Sequence, residues 1–147
     1  MDTDNPVVQL CAQGMQAEAE RRNDDARRLF TRAWQAATND YDACVAAHYL
    51  ARQQDNPKDT LRWNRESLAR ADAVGDERVR EFYPSLFLNI GFSYEVLGDL
   101  TEARRYYELA AEKTTDLPEG PYADMVREGV SNALKRTQAE EPKLTGC

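Results

Sequence analysis

Residues 84–117 read PSLFLNIGFSYEVLGDLTEARRYYELAAEKTTDL, and their spacing decides the fold. Phe87, Ile90, Gly91 and Tyr94 fall on one face of a helix, and Ala103, Tyr107 and Ala110 on one face of a second. Gly98 supplies the left-handed residue that ends the first helix. Asp99 follows as an N-cap with Glu102 three residues on, completing a capping box and placing acid at the positive end of the helix dipole. The stretch is therefore two antiparallel helices, with small Gly91 and Ala103 letting the backbones approach and aromatic rings filling the seam.

The same pattern, Phe87-x2-Ile90-Gly91-x2-Tyr94 then Ala103-x3-Tyr107-x2-Ala110, resembles the tetratricopeptide repeat. It departs in having Phe for the usual Trp, Ile for Leu, and Thr115 where a Pro is expected, with Pro118 three residues late. Working towards the N-terminus, Leu10-x2-Gln13-Gly14-x2-Ala17 and Ala26-x3-Phe30-x2-Ala33 repeat the template, opened by Asn5-Pro6 and with Asn23-Asp24-Asp25 at the turn. A second, degenerate copy has Cys44, Ala47, His48 and Ala51 in its first helix, from about Tyr41 to Gln53. Thr60, Asn64 and Ser67 take the slots of its second helix, which starts at Asn56-Pro57 and stops at Gly75.

The spacing predicts that DERVREFYP, 76–84, is an N-terminal extension of the third repeat's first helix, interrupted or kinked at Pro84. After Pro118–Pro121 a last helix is expected from Tyr122 to about Gln138, with an apolar stripe of Tyr122, Met125, Val126, Val130, Ala133 and Leu134. Such a helix would cap the stack. The reading is one domain over 1–139, with repeats at about 7–40, 41–74 and 76–117, a capping helix at about 121–138 and a disordered polar tail at 140–147. The resemblance, to a small stand-alone protein of bacterial type, implies an all-α right-handed superhelix of antiparallel helix pairs.

Length and charge bound the function. A chain of 147 residues buries about 68–70% of its unfolded surface on folding, so it needs no metal or disulfide. A net charge of −7 argues against nucleic acid as a partner. Cys11, Cys44 and Cys147 show no metal or catalytic spacing and suit a reducing compartment. No apolar leader or membrane span is apparent, and a cytoplasmic location with no membrane partner is the expectation.

The resemblance implies peptide or protein binding in a groove lined by the first helix of each repeat. One residue round from the packing face lie Cys11, Met15 and Glu18, then Val45, Tyr49 and Arg52, then Leu88, Phe92 and Glu95, with Asn89 beside them. The partner-binding candidates are Met15, Val45, Tyr49, Arg52, Leu88, Asn89, Phe92 and Glu95, an apolar floor with charged surroundings. The bland alternative is that Tyr49 and Phe92 are core. Cys11 and Met15 stand where the subfamily that clamps chaperone C-terminal carboxylates has basic and amide groups, so that function is not carried over.

His48, in the slot of Gly14 and Gly91, reads as a local repacking that reaches Thr60 or Asn64. Trp34 and Trp63 read as packing residues, and the arginines of 21–32 as a solvated face. The leading expectation is a non-enzymatic adaptor with no catalytic residue, metal or cofactor, holding a protein or peptide. The runner-up is a small-molecule or signal-peptide pocket, even a catalytic one, closed by the C-terminal helix and using His48, Arg52, Tyr94 and Glu95. Self-association into a homodimer through the same apolar surface is the third.

Overall fold

The computed structural model describes residues 4–139; the tail expected at 140–147 lies outside them. The described residues are helical, with no strand. In order they form α1 (Pro6–Ala19), α2 (Asn23–Ala36), α3 (Asp40–Ala51), α4 (Pro57–Val74), α5 (Glu77–Arg80), α6 (Tyr83–Val96), α7 (Leu100–Lys113), a 3-10 turn (Thr114–Asp116) and α8 (Pro121–Ala139). They divide into two compact units, Met1–Arg80 and Glu81–Cys147.

In the first unit, three asparagines start helices for the same reason. The side-chain oxygens of Asn5, Asn39 and Asn56 accept from the amides of Val7, Asp42 and Asp59 at 2.8–2.9 Å, occupying donors that a helix start leaves free. Pro6 and Pro57 follow the cap, where a missing amide costs nothing. The first turn is carried by Arg21, whose φ of +61° is the left-handed conformation that Gly98 takes in the third repeat at +86°. It precedes Asn23-Asp24-Asp25, which form the first turn of α2.

Helices α1 to α3 share a core of Val7, Cys11, Ala17, Ala26, Phe30, Ala33, Ala46 and Leu50. Gly14 is obligatory in it: a Cβ there would lie 2.3 Å from the buried Phe30 ring. In the second repeat the sizes are reversed, with His48 in the glycine slot and buried Asn64 in the aromatic one. Ser67, fully buried, donates to the Cys44 carbonyl at 2.8 Å. Asp42, buried at the start of α3, accepts from Asn5 Nδ2 and from Asn39 Nδ2 at 3.1–3.2 Å, tying the starts of α1 and α3.

The expected extension of α6 is not formed. Residues 77–80 make the separate helix α5, a turn follows at Glu81-Phe82, and α6 begins at Tyr83. Pro84 then sits in the first turn of α6, where its missing amide is not needed, so it starts a helix rather than kinking one.

In the second unit, Gly91 lies under Tyr107 as Gly14 lies under Phe30, and a Cβ added there would come within 2.6 Å of the ring. Asp99 caps α7 by accepting from the Glu102 amide. Helix α8 buries Ala123, Val126, Val130, Ala133 and Thr137 against α6 and α7. Its apolar stripe is centred further round than the sequence pattern suggests, because small Ala123 and polar Thr137 belong to it. Tyr122 and Met125 are therefore exposed, at 46% and 64%. The face opposite the stripe carries exposed Glu128, Ser131 and Lys135.

Candidate functional site

The candidate residues are described unit by unit. On α1 and α3, Val45 and Tyr49 pack against the first core. Tyr49 is half-buried, stacked on Phe30 with centroids 5.3 Å apart, and the Arg52 guanidinium lies over its outer face at 5.2 Å. Arg52 also pairs with Glu18, to which Gln53 donates as well. Cys11 is buried, and burial pushes its thiol up to about 11, so it is an inert packing residue. Met15 alone of this set presents a large apolar side chain to solvent, 44% exposed.

On α6 the residues separate in the same way. Leu88 packs under α8, against the cluster of Ala123, Val126 and Val130. Glu95 accepts from the Tyr107 hydroxyl at 2.6 Å and from Arg136 of α8 at 3.1 and 3.2 Å. The Arg136 bond first, and the Tyr107 bond after it, hold the Glu95 carboxyl below its usual range, while burial and the facing carboxylate push the Tyr107 phenol up. Phe92 is 53% exposed and Asn89 half-buried beside it.

The two sets correspond. Met15 and Phe92 hold one repeat position, Glu18 and Glu95 another, and each glutamate takes an arginine from the end of the following first-helix position, Arg52 or Arg136. Helix α8 thus stands to α6 as α3 stands to α1. Replacing Glu95 with Ala is expected to cost about 1 kcal/mol after solvent screening. Chemical denaturation would measure it, and Glu95→Gln, which still accepts from Tyr107, should lose less.

Of the polar groups in the pocket reading, Arg52 and Glu95 are already paired. His48 is largely buried and edge-on to Tyr49, its Nδ1 without a hydrogen-bond partner, and burial followed by the Arg52 charge pushes its pKa down to about 4. Thr60, a partner expected from the sequence, donates its hydroxyl to the Asn56 carbonyl. Tyr94 stacks on Tyr106. A cleft of about 510 Å³ opens elsewhere in the first unit, between Trp34, Asn39, Asp40 and Arg70, and there Arg70 already pairs with Asp40 and covers the Trp34 ring.

No family model matches the chain, and no curated protein matches it. Among solved structures it is similar to PcrH, in the crystal structure of PcrH in complex with the chaperone binding region of PopD. The TM-score is 0.66 over 95% of this chain and 96% of that one, at 15% identity. The fold is a tetratricopeptide-like helical repeat. At this identity the likeness speaks for fold alone. It agrees with the glycine-under-ring seams present in both units of this tetratricopeptide-like chain. None of the described helices is long and apolar enough to cross a membrane.

Proposed function

We propose that the chain is a non-enzymatic, cytoplasmic adaptor of the tetratricopeptide type that holds a segment of another protein against the first helices of its repeats. The observation that carries this reading is the pair Met15 and Phe92. They are equivalent positions on α1 and α6, and both hold a large apolar side chain in water. Isolated exposed apolar residues are ordinary; the same exposure at the same repeat position, beside a neutralised Glu–Arg pair each time, gives each unit by itself a patch suited to contact. PcrH, which shares the fold, is bound to a region of a partner protein in its crystal structure.

Tyr49 and Arg52 contribute a cation-covered ring in the first unit, with Val45 as support there and Leu88 as support in the second. Met15→Glu and Phe92→Glu are expected to leave helix content and melting temperature unchanged and to weaken binding at least tenfold. The measurement is calorimetric titration with peptides selected from a proteome-derived array. Equal affinity in wild type and both variants would remove these residues from the site, and a wild type that selects no peptide would remove the function. A bound small molecule seen by native mass spectrometry, and lost in the variants, would give the surface to a ligand.

A further inference from the structure

The cleft of about 510 Å³ in the first unit is lined by none of the residues of the adaptor reading. Its walls are the junction of α2 and α3, with Trp34, Ala37, Thr38, Asn39 and Asp40, and Arg70 of α4. Small-molecule sites occupy about 300–1,000 Å³, so the space suits a ligand larger than the guanidinium head of Arg70 that enters it.

Three features set the sign of the charge it takes. Helix α2 ends at the cleft, where its dipole is negative, and no basic residue lies in its last turn to offset that pole. Asp40 brings a carboxylate, 44% exposed. Trp34 brings a ring face, which attracts cations. The positive pole at the start of α3 does not cancel these, because Asn39 caps it and buried Asp42 stands in its first turn. An anion would meet Asp40 and the end of α2 with Arg70 alone in its favour.

Arg70 is the cation now in place. Its guanidinium lies 5.3 Å over the Trp34 ring and 2.9 Å from Asp40 Oδ1. The side chain is 38% exposed, and exposed ion pairs are held weakly. Glu66, one turn earlier on α4, stands 3.7 Å from Arg70 Nε. Arg70 can therefore give up Asp40 and keep a carboxylate, and the exchange leaves no charge buried without a partner.

We infer that this cleft binds an organic cation, a guanidinium or ammonium group on a body of arginine size, which displaces Arg70 from Trp34 and Asp40. The head takes the ring face and the Asp40 carboxylate, and Ala37 and Ala43 supply apolar wall for the stem. A free guanidine or amine and a basic side chain of a partner share this chemistry. The site does not rest on the adaptor reading.

The two tryptophans of the chain, Trp34 and Trp63, lie with ring centroids 5.0 Å apart beside the cleft, so intrinsic fluorescence of the full chain reads its occupancy. The probes are N-acetyl-arginine amide, guanidinobutylamine and, as an uncharged copy of the first, N-acetyl-citrulline amide. Both cations are expected to change the emission saturably, with the citrulline probe at least tenfold weaker. Arg70→Gln removes the internal competitor and should tighten both cations at least threefold. Asp40→Asn in the Arg70→Gln background should weaken them at least tenfold, and because Asn39 rather than Asp40 caps α3, circular dichroism should show both variants folded. Tighter binding of the arginine amide supports the site with a peptide-borne cation, and tighter binding of guanidinobutylamine supports it with a free one. Equal binding of the citrulline probe, or cation affinity unchanged by Arg70→Gln, would overturn the inference. So would the absence of a saturable change in wild type and Arg70→Gln alike.

Discussion

Gly14→Ala is expected to destabilise the protein by about 2–3 kcal/mol, although alanine is the better helix former by about 1 kcal/mol. The new Cβ would lie 2.3, 2.6 and 2.8 Å from three carbons of the Phe30 ring. Phe30 is fully buried and stacked on Tyr49, so the ring cannot swing away without opening the core of α1 to α3. Overpacking therefore outweighs propensity. Gly91→Ala meets the same obstacle at Tyr107, with the Ala103 carbonyl oxygen a further 3.1 Å contact. Thermal melts of both single variants should fall by several degrees. Phe30→Leu in the Gly14→Ala background should recover part of the loss. A melting temperature at or above wild type in Gly14→Ala would mean that the seam is looser than these distances state.

Acid should destabilise the protein in two stages, the first set by His48. The imidazole is held near 4 in the fold, against 6.5 for the free side chain. The unfolded chain binds the extra proton first, so the stability present above pH 6.5 declines as pH falls towards 4. From pH 7 to pH 4.5 the expected loss is about 2–3 kcal/mol, a large share of a typical domain's 5–15 kcal/mol. The carboxyls held low by arginine and other donors, Glu95, Glu20 and Asp76, stabilise the fold while ionised and release their contribution only at lower pH. Urea titrations at pH 7 and 4.5 measure the first stage. His48→Gln, which carries no titrating ring, should be flat across that window; a wild type equally flat would show the imidazole reaching water.

The repeat architecture is legible in the sequence because it rests on local constraints. A glycine that must lie beneath a ring, an asparagine before a proline and a left-handed Gly98 are each fixed within a few residues. Arg21 is not legible as the first turn, since an arginine in the left-handed region carries no composition signal. Pro84 reads as a kink because the pattern on both sides is helical, and only the break at Glu81-Phe82 makes it a start.

The candidate site is legible in direction and less so in neighbourhood. A one-residue step around a helix selects Cys11, Leu88, Met15 and Phe92 alike, but the exposure of each depends on the helix that comes next. The next helix covers Cys11 and Leu88 and leaves Met15 and Phe92 open. Glu18 and Glu95 have the look of free rim charges in the sequence, because their arginines lie 34 and 41 residues away.

The reversal of sizes at His48 and Asn64 ties the two positions together as a unit of inheritance. Restoring glycine at 48 alone would leave a void beside Asn64, and restoring an aromatic at 64 alone would drive a ring into the imidazole. A lineage could cross between the two arrangements only through a poorly packed intermediate. A designer who averages the three repeats position by position would fall into that same valley.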